Sequence, residues 1–410
     1  MPIAPLSPPV VSAPSRSARI MERAKEHLLQ NYKQQPIVID RGEGCYVWDE
    51  EGRQYLDLLG GIATVAMGHC HPEVVAAVKA QIDKLWHISN VFYTRPQIEL
   101  AEKLCAASGL DRAFFCNSGA EANEALIKLA RKVQKDRGQM ERVEIISFLN
   151  SFHGRTLATV TATGQPKYQK GFEPLPAGFL HVPYGDLNAL TEAVGPRTAA
   201  ILIEPIQGEG GVRAAPEGFL AAVRKLCDQH GVLLLVDEIQ TGMGRTGKFF
   251  AYQHSGIQPD AVSLAKSLAN GLPMGAMLCS EASGKALGPG THGSTFGGNL
   301  VAAAAANVTV SLVSEPARLQ ANVEKGEHFK AGARRLQAKH PGMIIDVRGQ
   351  GLLLGVELGV DAAPVVGRCR DLGMLCNLAG ERTVRFAPAY VVTPGQLDDG
   401  LHTFEKALVG

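Results

Sequence analysis

The 410-residue sequence has no surplus of charge: Lys plus Arg number 41 and Asp plus Glu 40. Nothing therefore draws the chain as a whole toward nucleic acid or a membrane surface. It has no uncharged apolar run of about 18 residues, which excludes an ordinary membrane-spanning helix. The run 301–313 is short and alanine-rich and reads as a packed helix. The eight cysteines, Cys45, Cys70, Cys105, Cys116, Cys227, Cys279, Cys369 and Cys376, include no C-x-x-C pair. That spacing argues against a zinc site or a disulfide framework, and for free thiols in a reducing, cytoplasmic setting. There is no internal repeat, and the first residues lack the central apolar block of a signal peptide.

What is abundant is glycine, 45 residues, which fits many tight turns and site loops. The length suits two domains. Residues 1–19 hold Pro2, Pro5, Pro8, Pro9 and Pro14 and read as a flexible extension. Helical spacing runs from Ala18 to Leu29, and short strands follow over 37–59. His69, Cys70 and His71 have no further ligand cluster, so they read as a loop before a helix starting after Pro72. The composition shifts near residue 313 to a charged helix, a hairpin in IIDVRGQGLLLGVEL, one strand over 378–387 and a last helix over 394–408.

The chemistry gathers at strand ends. Two apolar runs, Val232–Val236 and Ala261–Ala265, read as buried strands and are followed by Asp237 and Lys266. In open α/β sheets, ligands sit beyond the carboxyl ends of strands. An acid and an amine there suit a heteroaromatic aldehyde: the lysine for a Schiff base, the acid to keep a ring nitrogen protonated. A plain ion pair is the alternative this stretch leaves open. The strand Ala113–Cys116 leads into Asn117-Ser118-Gly119-Ala120 and a helix to about Lys135. With Ser118 as N-cap this is a ready anion site, or simply a capped helix. Strand 143–148 leads to Phe152 and Arg155, which could stack a ring and clamp a carboxylate. Strand Ala199–Ile203 leads to Glu204 and Glu209, and the loop 288–299 offers the hydroxyls of Ser294 and Thr295. Gly242-x-Gly244-x-x-Gly247 matches a dinucleotide fingerprint and nearly a P-loop. No helix pattern starts on it, and Phe249 stands where a P-loop needs Ser or Thr, so both readings are rejected.

Eight motifs in order, GHCHP (68–72), NSGAEANE (117–124), FHGRT (152–156), EPIQGEGG (204–211), DEIQTGMGRTG (237–247), LAKSLANGLPMGA (264–276), STFGGN (294–299) and VRFAP (384–388), resemble the class III, ornithine-type aminotransferases. The likeness covers nearly all the chain after residue 20, and LAGERTVRFAP and AEKLCAASGLDRAFFCNSGAEANEA bring it nearest to the acetylornithine branch. It implies an α/β fold of type I, with a large domain (76–312) around a mainly parallel sheet and a small α+β domain from both chain ends (20–75 and 313–410). It implies pyridoxal 5'-phosphate as cofactor and a homodimer with shared active sites, with neither nucleic acid nor membrane as partner. Lys266 would bond the cofactor and act as base, Asp237 would pair with its ring nitrogen, and Gln240 would reach its hydroxyl. Ser118, Gly119 and Ala120 would hold the phosphate, with Thr295 reaching in from the partner subunit. Phe152 would stack on the ring, Arg155 would bind a substrate carboxylate, and Glu209 and Arg385 would form a switchable pair.

By the same resemblance, the donor is the terminal amine of N-acetylornithine and the acceptor 2-oxoglutarate, in arginine biosynthesis. Ornithine, succinylornithine, succinyl-diaminopimelate, GABA or a lysine-type amine stays open as donor. Ornithine enzymes carry a tyrosine where this chain has Ile62, which favours an acylated α-nitrogen, and Val65 replaces the family's usual asparagine. A decarboxylase, mutase or racemase of the same fold would have less use for two carboxylate-binding arginines. A non-catalytic regulator would be expected to lose Lys266 or Asp237, and both are present.

Overall fold

The computed structural model describes residues 15–410, so most of the expected flexible extension lies outside the described residues. Its last residues are helical instead. Ser15 accepts a hydrogen bond from the Ala18 amide at 3.1 Å and so caps a helix over Arg16–His27, two residues earlier than the apolar spacing suggests.

Three short strands follow, β1 (Ile39–Glu43), β2 (Tyr46–Asp49) and β3 (Gln54–Asp57), paired as an antiparallel meander. The centre of the molecule is a seven-stranded sheet. Its strands are β4 (Arg112–Cys116), β5 (Glu144–Phe148), β6 (Phe179–Val182), β7 (Thr198–Ile203), β10 (Leu233–Asp237), β11 (Ala261–Leu264) and β12 (Gly275–Cys279). Between β7 and β10 a small hairpin, β8 (Ile206–Gln207) and β9 (Arg213–Ala214), projects from the sheet. The spatial order is β4-β12-β11-β10-β7-β5-β6, and only β12 runs against its neighbours. The apolar runs of β7 and β10 are buried at every position because helices cover both faces. Leu233 and Leu235 join one core layer with Leu126 and Leu129 of the helix Gly119–Asp136, while Leu234 and Val236 join the other, with Leu100, Leu226 and Val310.

The remaining strands are β13 (Ile344–Gln350), β14 (Leu353–Leu358), β15 (Met374–Leu375), β16 (Asn377–Ala379) and β17 (Thr383–Phe386). β13 and β14 form the expected hairpin. The single strand expected over 378–387 is instead a tight β16–β17 hairpin, because Gly380 takes φ +76 and turns the chain. β15 adds to β3 in parallel, so residues near both chain ends share one sheet.

The glycine run 242–247 opens no helix. It is a buried turn packed on the helix Pro316–Lys339, where a Cβ on Gly244 would stand 2.8 Å from Leu319 and Val313. Among the described residues no single helix is long and apolar enough to cross a membrane.

Candidate active site

β4, β5, β7, β10 and β11 all end on one edge of the sheet, and a cleft of about 410 Å³ lies just beyond them. Ser118, Gly119, Ala120, Phe152, Arg155, Asp237, Gln240 and Lys266 line it.

Asp237, last residue of β10, is 4 % exposed. Its Oδ2 accepts hydrogen bonds from Asn123 Nδ2 (2.7 Å) and His153 Nδ1 (2.8 Å), and its Oδ1 from the Ile239 amide (3.0 Å). A carboxylate can only accept, so His153 carries its proton on Nδ1. Asn123 is itself fixed: its Oδ1 accepts from Ser263 Oγ at 2.7 Å and its Nδ2 also donates to the His153 carbonyl. Three donors thus hold a buried negative charge in place.

Lys266 follows β11 at φ +43, a left-handed conformation that a side-chain-bearing residue adopts only under constraint. Burial lowers its ammonium pKa; Glu209 opposes this and Arg385 adds to it. An amine depressed in this way is nucleophilic and can carry a proton back and forth.

At the other end of the cleft Ser118 caps the helix Gly119–Asp136, accepting from the Glu121 amide at 3.2 Å. The first-turn amides there face the positive end of the helix dipole, the arrangement that binds phosphate. At Gly119 a Cβ would stand 2.7 Å from Ile239 Cδ1, so a larger residue there would have to push that side chain aside. Glu121 is occupied by the Asn117 amide (2.8 Å) and the Ser118 hydroxyl (3.0 Å).

Phe152 forms a half-buried wall, and its amide donates to Glu204 Oε1 at 2.9 Å. The Arg155 guanidinium is exposed and lies 4.0 Å over the Tyr168 ring and 5.5 Å from the Phe152 ring, two faces that steady a cation. Arg385, on β17, is fully buried. Its Nη1 donates to Glu209 Oε1 (2.6 Å) and Gln240 Oε1 (2.8 Å), and its Nε to Asn377 Oδ1 (3.0 Å). Its Nη2 is buried without a partner. Burial raises the Glu209 carboxyl pKa, but Arg385 and Lys266 more than reverse this, and the net shift is downward. Gln240, expected at a ring hydroxyl, belongs here to the Glu209–Arg385 group as well as to the cleft wall. Thr295 is not in the cleft of its own chain. It is exposed and borders a separate crevice with His87, Asn90 and Phe296.

A family model for class-III aminotransferases matches residues 28–408. The chain belongs to the class-III aminotransferases. It is 66 % identical over 395 residues to the acetylornithine aminotransferase of Myxococcus xanthus, covering 96 % of this chain and 98 % of that one. It is 49 % identical over 383 residues to the acetylornithine aminotransferase of Methanocaldococcus jannaschii, covering 93 % and 96 %. Among solved structures it superposes on the ornithine aminotransferase of Toxoplasma gondii ME49 with a TM-score of 0.93 at 34 % identity, covering 96 % of this chain and 95 % of that one. With the N-acetylornithine aminotransferase of Stenotrophomonas maltophilia K279a the TM-score is 0.82 at 37 % identity, covering 95 % and 98 %.

Class-III aminotransferases depend on pyridoxal 5'-phosphate, and this aminotransferase has residues that fit it. An acid held by three donors suits a protonated ring nitrogen, the helix start at Ser118 suits a phosphate, and Lys266 suits an aldehyde. Four residues at this site escaped the sequence reading. Asn123 and His153 hold Asp237, and Tyr168 lies under Arg155. Glu204, noted only as a strand end, bridges the amides of Phe152 (2.9 Å) and Gly208 (3.4 Å), and burial raises its carboxyl pKa. His153 sits inside FHGRT, Asn123 inside NSGAEANE and Glu204 at the head of EPIQGEGG, so each had a motif to point to it without a role; Tyr168 lies in none.

Proposed function

We propose that this aminotransferase moves the terminal amine of N-acetylornithine to 2-oxoglutarate, yielding N-acetylglutamate semialdehyde and glutamate within arginine biosynthesis. The observation that carries the reading is the buried Glu209–Arg385 pair beside Lys266. Two unlike donors must use one cleft. N-acetylornithine has no carboxylate next to its reacting carbon, and an Arg385 neutralised by Glu209 suits it. Glutamate has one, and an Arg385 released from Glu209, with its Nη2 already free, suits that carboxylate. Arg155, on its aromatic seat, is assigned the carboxylate at the far end of either donor. The names of the Myxococcus and Methanocaldococcus relatives support the same donor.

Bound in the cleft, pyridoxal 5'-phosphate supplies an electron sink for the pair left when a substrate carbon loses its proton. Lys266 Nζ would accept that proton and hand it on, a task that suits the depressed pKa that burial gives it. Asp237 would keep the ring nitrogen protonated, the amides after Ser118 would anchor the phosphate, and Phe152 would flank the ring. Free ornithine is the second reading, favoured by the Toxoplasma superposition. It is the weaker one, since its free α-amine would need an acceptor where Ile62 offers none.

The homodimer is part of this reading. Trp86, Val91, Phe92, Tyr93 and Phe296 form an exposed apolar patch, Tyr93 at 97 %, and isolated chains rarely leave such a patch uncovered. Asn90 Nδ2 ties it to the Ser294 carbonyl (3.1 Å) next to Thr295, which supports a role for Thr295 in the partner's cleft. The division into a large domain over 76–312 and a small one from 20–75 and 313–410 is supported by the β3–β15 pairing. A cytoplasmic setting suits the eight unbridged cysteines.

The test is Glu209→Ala, followed through each half-reaction separately by single-turnover spectroscopy. Leaving Arg385 buried and unneutralised should slow the N-acetylornithine half by roughly 10–100-fold, the worth of a charge-assisted hydrogen bond, and the glutamate half by much less. Equal losses in the two halves would sink the switch.

A further inference from the structure

A second cavity, about 380 Å³, opens at the opposite edge of the central sheet from the active site. Val143, Ala177 and Gly178, and Arg197 line it, and these residues immediately precede β5, β6 and β7. Lys128, Arg131, Lys132 and Lys135 enter it from one face of the helix Gly119–Asp136, at the three- and four-residue spacing that makes helix neighbours. No carboxylate lines it, and Val143, Ala177 and Leu287 supply apolar surface.

Two of the five cations are compensated, Lys132 by Asp136 and Arg197 by Glu144. Among the described residues the other three, Lys128, Arg131 and Lys135, have no carboxylate within ion-pair distance. Lys128 Nζ lies on the Thr291 carbonyl (3.1 Å) and His292 Nδ1 (2.8 Å). Arg131 is clamped by the carbonyls of Val143 and Ala177, each at 2.9 Å, and its guanidinium rests 5.2 Å from the Phe179 ring centroid. The wall is shaped to it: Gly178 takes φ +89, and a Cβ there would stand 3.0 Å from Arg131 Nη2. In a chain of balanced charge these three cations border one hollow that no carboxylate lines, with Glu124 acting on Arg131 from beyond ion-pair distance, and an anion in the hollow would be drawn to all three.

We propose that this cavity binds a small organic phosphate, its anionic end on Lys128, Arg131 and Lys135 and its apolar part on Val143, Ala177 and Leu287. Its volume fits a small molecule and excludes a nucleic-acid strand. The site lies away from Asp237 and Lys266, so its ligand is bound and not transformed.

The test is calorimetric titration of the cofactor-saturated enzyme with AMP, inorganic pyrophosphate and adenosine as probes. The expected result is binding of AMP at one per chain, weaker binding of pyrophosphate, and none of adenosine. Raising the salt from about 50 to about 200 mM should weaken AMP several-fold. Lys128→Glu with Lys135→Glu should lower AMP affinity at least tenfold and leave the cofactor's visible band and the transamination rate unchanged. Lys135→Ala, at an exposed position, serves if the double variant fails to fold, with a several-fold loss expected. No AMP binding up to millimolar concentration overturns the proposal. So does AMP binding that the variants leave unchanged, which would put it in the cofactor's own phosphate cradle. Pyrophosphate binding as tight as AMP would overturn the organic part.

Discussion

His153 offers the sharpest test of how Asp237 is held. The ring donates from Nδ1 to Asp237 Oδ2 at 2.8 Å, both groups are buried, and the other two donors to that carboxylate are Asn123 Nδ2 and the Ile239 amide. A hydrogen bond to a charged group is worth about 1.5–3 kcal/mol, and water cannot replace it at a site closed to solvent. His153→Ala removes the donor. His153→Asn puts an amide N–H where Nδ1 stood and keeps it. The alanine variant should bind pyridoxal 5'-phosphate roughly 10–150-fold more weakly, the same 1.5–3 kcal/mol expressed as an equilibrium, and the asparagine variant should recover most of that. The assay is titration of apoenzyme with cofactor, followed by its visible absorbance, with thermal unfolding of each apo form as a control for folding. Two folded variants equally impaired would refute the reasoning, because the loss would then belong to the ring's volume and not to its hydrogen bond.

Two further outcomes follow from buried groups. Glu238 is fully buried, accepts from the Tyr252 amide (2.8 Å) and the Thr241 hydroxyl, and burial raises its carboxyl from 4.5 to about 7. The native state therefore keeps a proton that the unfolded chain releases, and this group's contribution to stability falls as pH rises from about 4.5 to about 7 and is flat above that. Glu238→Gln should remove the fall, so that wild type loses about 3 kcal/mol relative to the variant across this window. Urea unfolding at the two ends of the window checks it, and equal pH slopes would contradict it. Gly275 opens β12 against Cys116, and a Cβ there would press on the Ser118 carbonyl and stand 2.9 Å from Cys116 Sγ. Gly275→Ala should cost about 1–3 kcal/mol of stability and, by moving the phosphate turn, weaken cofactor binding; a variant destabilised but binding cofactor normally would show that the turn had not moved.

Asp237 and Lys266 were legible because each follows an apolar run with punctuation after it, the mark of a strand buried on both faces. The phosphate turn was legible for a local reason as well, a serine at a helix start. Asn123 was not, since it reads as one more residue in a helix and meets Asp237 from 114 positions away. Tyr168 sits in a three-residue 3₁₀ turn with no periodicity to report it. The helices over 157–162, 187–193 and 363–371 and the strand β6 also went unread, each of them nine residues or shorter. The hairpin at Gly380 was lost because a lone glycine in apolar text reads equally as a bulge or a turn. Thr295 was legible as a hydroxyl in a loop, but its place in a crevice apart from its own chain's cleft follows from tertiary packing that no local pattern reports.

The pairing of β3 with β15 sets a timetable for synthesis. Arg53 donates to the Asp371 carbonyl, 318 residues further along the chain, and the Leu56 and Leu58 amides donate to the Gly373 and Leu375 carbonyls of the same late segment. On the ribosome, at about 5–20 residues per second, the early meander waits on the order of 15–60 s for that strand to emerge. Until then the outer edge of β3 presents unpaired backbone groups, the kind of edge on which nascent chains aggregate. In this chain a piece made early is therefore completed late, and a nascent chain stalled before residue 374 leaves that edge to chaperones.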